Sequence, residues 1–217
     1  MPPPHRPLPL RPARPAWRRA AACALSAWLA AATAAAASLT VQVQSAAGKP
    51  LADAVLLLEP AAGKAAVKPA AGVEIVQQGK QFVPQVTVVP LGTRISFPNQ
   101  DTVRHHVYSF SEAKKFELKL YAGRPENPVL FDRAGVVVLG CNIHDTMVGW
   151  IIVSDTPWFA KSTASGRVVL ADVPAGTYRL RAWHPDLPPG AAGVEQAVQL
   201  GAADTSTLVK LPAGAGT

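Results

Sequence analysis

Apolar and polar residues alternate along most of this chain with the period of two that is typical of β-strands. In the stretch 38–44, Leu39, Val41 and Val43 alternate with Thr and Gln side chains, which predicts a strand with one buried face. Further short apolar or alternating runs, separated by turn residues, predict strands at 54–58, 82–89, 93–97, 103–110, 116–121, 129–131, 136–139, 148–153, 163–170 and 173–180. Because the runs are short and none has a long helical period, the sequence predicts an all-β protein built as a β-sandwich.

Two of these runs depart from simple alternation. Pro84 interrupts the run 82–89, and a residue without a backbone N–H predicts a strand at the edge of a sheet. The run 136–139 is Val-Val-Val-Leu, which predicts a strand that is covered on both faces.

Residues 1–37 have the composition of a secretory signal peptide. Five arginines and no acidic residue precede an apolar, Ala-rich stretch that ends in small residues. We expect cleavage after Ala37 and export to the periplasm. The apolar stretch is too short and too rich in Ala for a membrane span.

The leader also accounts for most of the net positive charge. The whole chain has 21 Lys and Arg residues and 14 Asp and Glu residues, a formal net charge of +7. Residues 1–37 hold five of the basic residues and none of the acidic ones, which leaves 16 minus 14, or +2, on the remainder. This small excess gives no reason to expect a nucleic-acid partner.

Beyond the leader, Cys141 is the only cysteine and Met147 the only methionine. A lone cysteine in an oxidising compartment is left as an intermolecular link, a reactive thiol or a metal ligand. Together with His144, these residues form the pattern C-x2-H-x2-M. A thiolate, an imidazole and a thioether are three of the four donors of a mononuclear electron-transfer copper, which also needs a second imidazole. His105 and His106 are the candidates for that imidazole.

Other roles are open to the same residues. Cys and Met are ordinary core residues, so Cys141 and Met147 could pack the interior beside a surface histidine. Structural zinc sites are usually richer in Cys, and Met is a poor zinc ligand. A nucleophilic triad of Cys141, a histidine and Asp145 would leave Met147 without a role. We expect no enzyme activity.

A series of residues between positions 82 and 153 occurs in a recognisable order. It comprises Val86-x-Val88, Gly92, Ile95-x-Phe97-x-Asn99-x-Asp101, a histidine, Phe131-Asp132-x-x-Gly135 and Cys141-x2-His144-x2-Met147-x-Gly149-x-Ile151-x-Val153. In this order and spacing the segment, about a third of the chain, resembles the cupredoxins, the plastocyanin and amicyanin family of blue copper proteins. The resemblance implies a Greek-key β-sandwich, and the two-residue spacing before Met147 is that of the short amicyanin loop.

The resemblance also implies a role for each ligand of one type 1 copper ion. Cys141 binds as a thiolate, His144 is the imidazole on the solvent side and the route for electrons, and Met147 is the weak axial ligand. Alignment of Asn99 with the asparagine usual in the family places the remaining imidazole at His105. The ring of His106 is then a neighbour of the site or partly exposed.

The segments on either side of this block resemble a different small β-sandwich, the carboxypeptidase-regulatory-like or transthyretin-like type. Its two signatures occur as Gly48-Lys49-Pro50-Leu51-Ala52-Asp53-Ala54-Val55-Leu56-Leu57 and as Gly166-x3-Leu170-x2-Val173-Pro174-Ala175-Gly176-Thr177-Tyr178-Arg179-Leu180. The resemblance implies a second sandwich formed by the N- and C-terminal segments, with the copper block inserted between them. The predicted divisions are a leader at 1–37, a first part with a linker at 38–72, a copper domain at 73–156 and a second part at 157–217. One continuous sandwich with additional strands at each end is the alternative.

From the resemblance we expect a periplasmic type 1 copper protein that carries single electrons between protein redox partners. No stretch after the leader is long and apolar enough to span a membrane. Lys114, Lys115 and Lys119 form either a solvated face or a surface that steers an acidic partner. The alternative function is a periplasmic copper-binding accessory or docking module, in which copper is structural or in transit.

Overall fold

The computed structural model describes residues 36–188, 190–191 and 193–212. Within these residues the chain forms seventeen β-strands and no helix, so the predicted all-β class is confirmed. The strands are β1 (Ala36–Ser45), β2 (Val55–Pro60), β3 (Val73–Glu74), β4 (Val76–Gln78), β5 (Gln81–Val83), β6 (Val86–Pro90), β7 (Thr93–Ser96), β8 (His105–Ser111), β9 (Lys114–Tyr121), β10 (Val129–Phe131), β11 (Gly135–Cys141), β12 (Val148–Ser154), β13 (Phe159–Lys161), β14 (Arg167–Pro174), β15 (Gly176–Trp183), β16 (Val194–Leu200) and β17 (Thr205–Leu211).

The predicted leader lies outside the described residues except for Ala36 and Ala37, which begin β1. These two residues lie opposite Pro174 and Val173 of β14. In the part of the chain that the structure describes, no helix is long and apolar enough to cross a membrane.

Strands from the two ends of the chain pair with each other in what we term the flanking sandwich (β1, β2 and β13–β17). One sheet has the order β14-β1-β17 and the other the order β13-β2-β15-β16. The alternation in β1 places Leu39, Val41 and Val43 inward, each fully buried, and they pack in one core with Leu56 and Leu58 of β2. Burial of one face of each sheet in this way is the main stabilising contribution of such a layer.

The intervening strands, β3–β12, form what we term the central sandwich. A five-stranded sheet of order β6-β12-β11-β8-β9 packs with a three-stranded sheet of order β10-β7-β3 around a second core. The largest buried side chains of this core include Phe82, Phe97 and Phe131. Pro84 separates β5 from β6, and β6 is an edge strand of the five-stranded sheet, as its sequence predicts.

The prediction that 136–139 is covered on both faces is wrong. Val137 and Leu139 are fully buried in the core of the central sandwich, but Val138 is 44% exposed. The other face of β11 packs on the flanking sandwich at Val136 and then opens into a groove at Val138. The four residues therefore alternate between more and less buried positions, as in other strands. Because all four are apolar, the sequence alone cannot show this alternation.

The two sandwiches share buried contacts. Val86 of β6 and Ile152 of β12 belong to the core of the flanking sandwich, and the rings of Trp150 and Trp183 lie 6.4 Å apart. The described residues belong to one compact unit. The domain boundaries at 72 and 156 stay predictions.

Candidate metal centre

The pairing of β8 with β11 places two of the predicted site residues, His105 and Cys141, on one face of a sheet. Cys141, the last residue of β11, lies opposite Val107 of β8. His105 precedes Val107 by two positions, so its side chain points to the same side of the strand. That side is the core of the central sandwich: His105 is 0% and Cys141 4% exposed.

Three potential ligand atoms converge at this point. Nδ1 of His105 lies 3.7 Å from Sγ of Cys141, and Nδ1 of His144 lies 3.9 Å from the same sulfur. One ligand atom from each of the three residues lies within 4.8 Å of the others. The centroids of the His105 and His144 rings lie 5.0 Å apart, and the ring planes are inclined at 60° to each other.

These separations fit a shared metal ion. Atoms bound to one ion at about 2.0–2.3 Å, in a roughly trigonal arrangement, lie about 3.5–4.0 Å from each other. One thiolate and two imidazoles, with room for a weak axial thioether, form the donor set that copper electron-transfer sites use. The observed distances and the donor chemistry therefore agree.

The loop between β11 and β12 presents His144 and returns the chain to the core. His144 is half-buried, whereas Asn142 and Ile143 before it are exposed. The backbone N–H of Met147 donates to the carbonyl of His144 at 2.9 Å, which closes a tight turn. Met147 is 1% exposed and packs in the same core as Cys141. One predicted ligand thus borders solvent while the others are enclosed.

His106 points away from this cluster. Its Nε2 lies 2.9 Å from Oε1 of Glu117 on β9, and its side chain is 13% exposed, against 0% for His105. The alternation of β8 separates the two rings onto opposite faces of the sheet. This geometry favours His105 as the partner of Cys141; ligation itself stays a prediction.

Sequence reasoning missed the group behind His105. Oδ2 of Asp101 lies 2.7 Å from Nε2 of the His105 ring, on the side opposite Cys141. Burial acts to raise the pKa of the Asp101 carboxyl, but hydrogen bonds from the backbone of Lys80, the ring of His105 and the backbone of Gly79 outweigh it. The pKa of Asp101 is therefore lowered, and the carboxylate is charged at neutral pH. The spacing D-x3-H was the available signal.

Asn99 holds the loop that carries Asp101. Its side-chain amide donates to the carbonyls of Val103 and Tyr121, at 2.9 and 3.0 Å, and its Oδ1 accepts from the backbone N–H of Asp101 at 2.9 Å. Asn and Asp commonly bond to nearby backbone in this way. The segment between β7 and β8 is thus fixed before it reaches His105.

Tyr121 lies opposite His105 in the pairing of β8 with β9. Its hydroxyl donates to the carbonyl of Phe97 at 2.6 Å and accepts from the side-chain amide of Gln77. Burial raises the pKa of Tyr121 well above its ordinary value; the hydrogen bond from Gln77 opposes this, and the charge of Cys141 adds to it. The neutral phenol therefore stays a donor that joins β9 to the opposite sheet.

The contacts from Cys141 to His105 and from His105 to Asp101 also have the order of a Cys-His-Asp triad. In this triad the acidic residue is Asp101, whereas the sequence suggested Asp145. A nucleophile needs an approach for its substrate, and both Cys141 and His105 are buried. The enclosed sulfur, with a second imidazole beside it, suits a metal ligand better than a nucleophile.

His184 lies outside this cluster. Its Nε2 lies 2.9 Å from the carbonyl of Ala52, and its Nδ1 accepts from the backbone N–H of Asp186 at 3.1 Å. The ring, 7% exposed, therefore has a partner at each nitrogen and joins a loop to the flanking sandwich. These contacts give the His184 ring a structural role.

No protein-family model and no curated protein matches this chain. Several solved structures resemble part of it. A copper-containing nitrite reductase from Thermus scotoductus SA-01 is 25% identical with a TM-score of 0.36, over 44% of this chain and 25% of that one. A purple cupredoxin from Nitrosopumilus maritimus is 23% identical with a TM-score of 0.34, over 38% of this chain and 99% of that one. The reduced Cu(I) form of an amicyanin mutant is 20% identical with a TM-score of 0.33, over 45% of this chain and 97% of that one. Each of these likenesses extends over less than half of this chain.

Proposed function

We propose that this protein binds one copper ion in a type 1 site and carries single electrons between protein redox partners in the periplasm. The observation that carries the proposal is the convergence of His105, Cys141 and His144, whose ligand atoms lie within 4.8 Å of one another. The resemblance of 82–153 to cupredoxins supports the same donor set.

Each residue has a distinct task in this proposal. Cys141 supplies a thiolate, whose pKa a bound metal lowers. His105 and His144 supply one imidazole nitrogen each, and Met147 supplies the weak axial thioether. When bound, copper would accept one electron from a reduced partner as Cu(II) and return it to an oxidised partner as Cu(I).

The surrounding protein suits fast electron exchange. His105, Cys141 and Met147 are 0%, 4% and 1% exposed, and the first two lie on paired strands. Ligands that are held by packing need little rearrangement when the charge on the ion changes, and the hydrophobic shell around the sulfur tunes the potential. Half-buried His144, the predicted ligand that borders solvent, then offers the route from the site to a docked partner.

The proposal that the protein is exported to the periplasm rests on the composition of residues 1–37. Expression with the native N-terminus, followed by N-terminal sequencing of the protein from the periplasmic fraction, tests it. We expect a mature chain that begins near Ser38. Recovery of the unprocessed chain from the cytoplasm would contradict export without affecting the metal site.

The proposed activity is tested by voltammetry of the copper-loaded protein. We expect a reversible one-electron couple and a copper content of one ion per chain. A copper adduct without a reversible couple would contradict the electron-carrier proposal.

The flanking sandwich favours a second candidate, a copper-binding accessory or docking module. Most of its core is built by two sheets from the ends of the chain, and the residues that converge on Cys141 all belong to the central sandwich. Such a module would release its copper readily to a chelator. An electron carrier would retain copper in both oxidation states under the same treatment, so the rate of copper loss separates the two candidates.

A further inference from the structure

The ring of His105 is held from both sides. Its Nδ1 is the atom directed toward Sγ of Cys141, at 3.7 Å, and its Nε2 lies 2.7 Å from Oδ2 of Asp101. The ring is fully buried and the Asp101 side chain is 16% exposed, so the contact is shielded from solvent. A hydrogen bond to a charged group in such surroundings is stronger than one between neutral groups.

The carboxylate of Asp101 is itself fixed by a second element. The backbone N–H of Gly79 donates to Oδ1 at 2.7 Å, and that of Lys80 donates to Oδ2 at 2.9 Å. Both residues lie at the tip of the β4–β5 hairpin with positive φ, 62° for Gly79 and 57° for Lys80. Successive backbone N–H groups in such a conformation form a concave anion-binding site. The hairpin therefore binds the carboxylate that contacts the ring.

We propose that Asp101 is a positioning residue of the metal centre, which holds His105 in the tautomer with its proton on Nε2 and directs the Nδ1 lone pair toward Cys141. This inference rests on the proposed function. Because the β4–β5 hairpin holds the Asp101 carboxylate, it also contributes to the reduction potential of the copper site. A carboxylate behind an imidazole ligand raises the donor strength of the ring. Added negative charge near the ion stabilises Cu(II) relative to Cu(I), so Asp101 lowers the reduction potential.

The test compares Asp101→Asn with Asp145→Asn in the full copper-loaded protein. Asp145 is an exposed carboxylate next to His144, so its variant removes the same charge without touching the His105 ring. For Asp101→Asn we expect Cu(II) affinity to fall about 10–100-fold. Each tenfold loss of Cu(II) affinity relative to Cu(I) raises the potential by about 59 mV for a one-electron couple. For Asp145→Asn we expect a clearly smaller shift; equal shifts in the two variants would overturn the inference.

A second readout uses the metal-free protein. Nitrogen NMR of the imidazole distinguishes a ring protonated at Nε2 from one protonated at Nδ1. We expect His105 to carry its proton on Nε2 in the native chain, and to populate both tautomers in Asp101→Ala, which also removes the acceptor. A native ring protonated at Nδ1 would overturn the inference. A protein that binds no copper would refute the proposed function, while the tautomer would still decide the role of Asp101.

Discussion

Sγ of Cys141 and Nδ1 of His105 lie 3.7 Å apart although 36 residues separate them in the chain. The two strands that carry them are neighbours in the five-stranded sheet, and both side chains point inward. A contact of this kind depends on the pairing of β8 with β11. It is therefore a property of the fold and not of the local motif.

The adjacent histidines His105 and His106 provide a matched pair of variants. Since the loss of a group behind a ligand costs about 10–100-fold in metal affinity, we expect loss of the ligand itself in His105→Ala to cost at least as much. His106 lies on the other face and contacts Glu117, so His106→Ala should leave Cu(II) affinity within a few-fold of the native value. Isothermal titration with Cu(II) measures both.

The same two variants can contradict the assignment of His105, and not His106, as a copper ligand. If His106→Ala weakened copper binding as much as His105→Ala, His106 would have to be part of the site. Far-UV circular dichroism of both variants checks that each retains the β-fold, because His105 is a buried side chain and its removal leaves a cavity.

We predict that Met147 affects the reduction potential of the copper site more than it affects the folding free energy of the protein. Leu has nearly the volume of Met, so Met147→Leu should cost less than about 1.5 kcal/mol of folding free energy. Removal of the axial thioether takes a donor from the ion, which disfavours the more highly charged Cu(II) and raises the reduction potential. Voltammetry and urea unfolding measure the two effects.

The matched control is Ile95→Leu, another volume-conserving change in the same core. It should leave the potential unchanged. A Met147→Leu protein with native potential would place Met147 among ordinary core residues.

Gly166 holds the flanking sandwich together through its backbone. Its φ is +75°, and a Cβ there would lie 2.3 Å from the carbonyl oxygen of Val43 in β1. Gly63 has the same φ of +75° but nothing within 4 Å of that position. Both Ala variants bear the strain of a left-handed conformation, about 1–2 kcal/mol, and only Gly166→Ala adds a clash, which costs about 1–3 kcal/mol more.

Urea unfolding of the two variants isolates the clash, since the conformational strain is common to both. We expect a clearly lower midpoint for Gly166→Ala than for Gly63→Ala. Equal midpoints would mean that β1 does not approach Gly166 as closely as the structure describes.

Much of the fold was predictable because the strands carry their own signals. The alternation in 38–44 predicted β1, and the interruption at Pro84 predicted an edge strand. The run 136–139 failed because four apolar residues in succession do not show which of them face a core. Val138 is exposed because it lines a groove beside the flanking sandwich. The composition of the run does not show where the flanking sandwich lies.

The site was predictable only in part for a related reason. The motif around Cys141 is local, so rare residue types at short spacing revealed it. Asp101 acquires its role through two contacts, to the His105 ring and to the backbone of Lys80, and only the folded chain brings these together. The spacing D-x3-H is a weak signal on its own, because a single sequence does not show which acidic side chain reaches the ring of His105.

The visible spectrum of the protein with one equivalent of Cu(II), beside that of Cys141→Ser, tests the copper site most directly. A thiolate bound to Cu(II) gives an intense visible absorption that an alcohol oxygen does not. We predict a strongly coloured native protein, which loses its colour on reduction, and a Cys141→Ser variant without the band. A colourless native adduct, or a band that persists in Cys141→Ser, would contradict the proposed site.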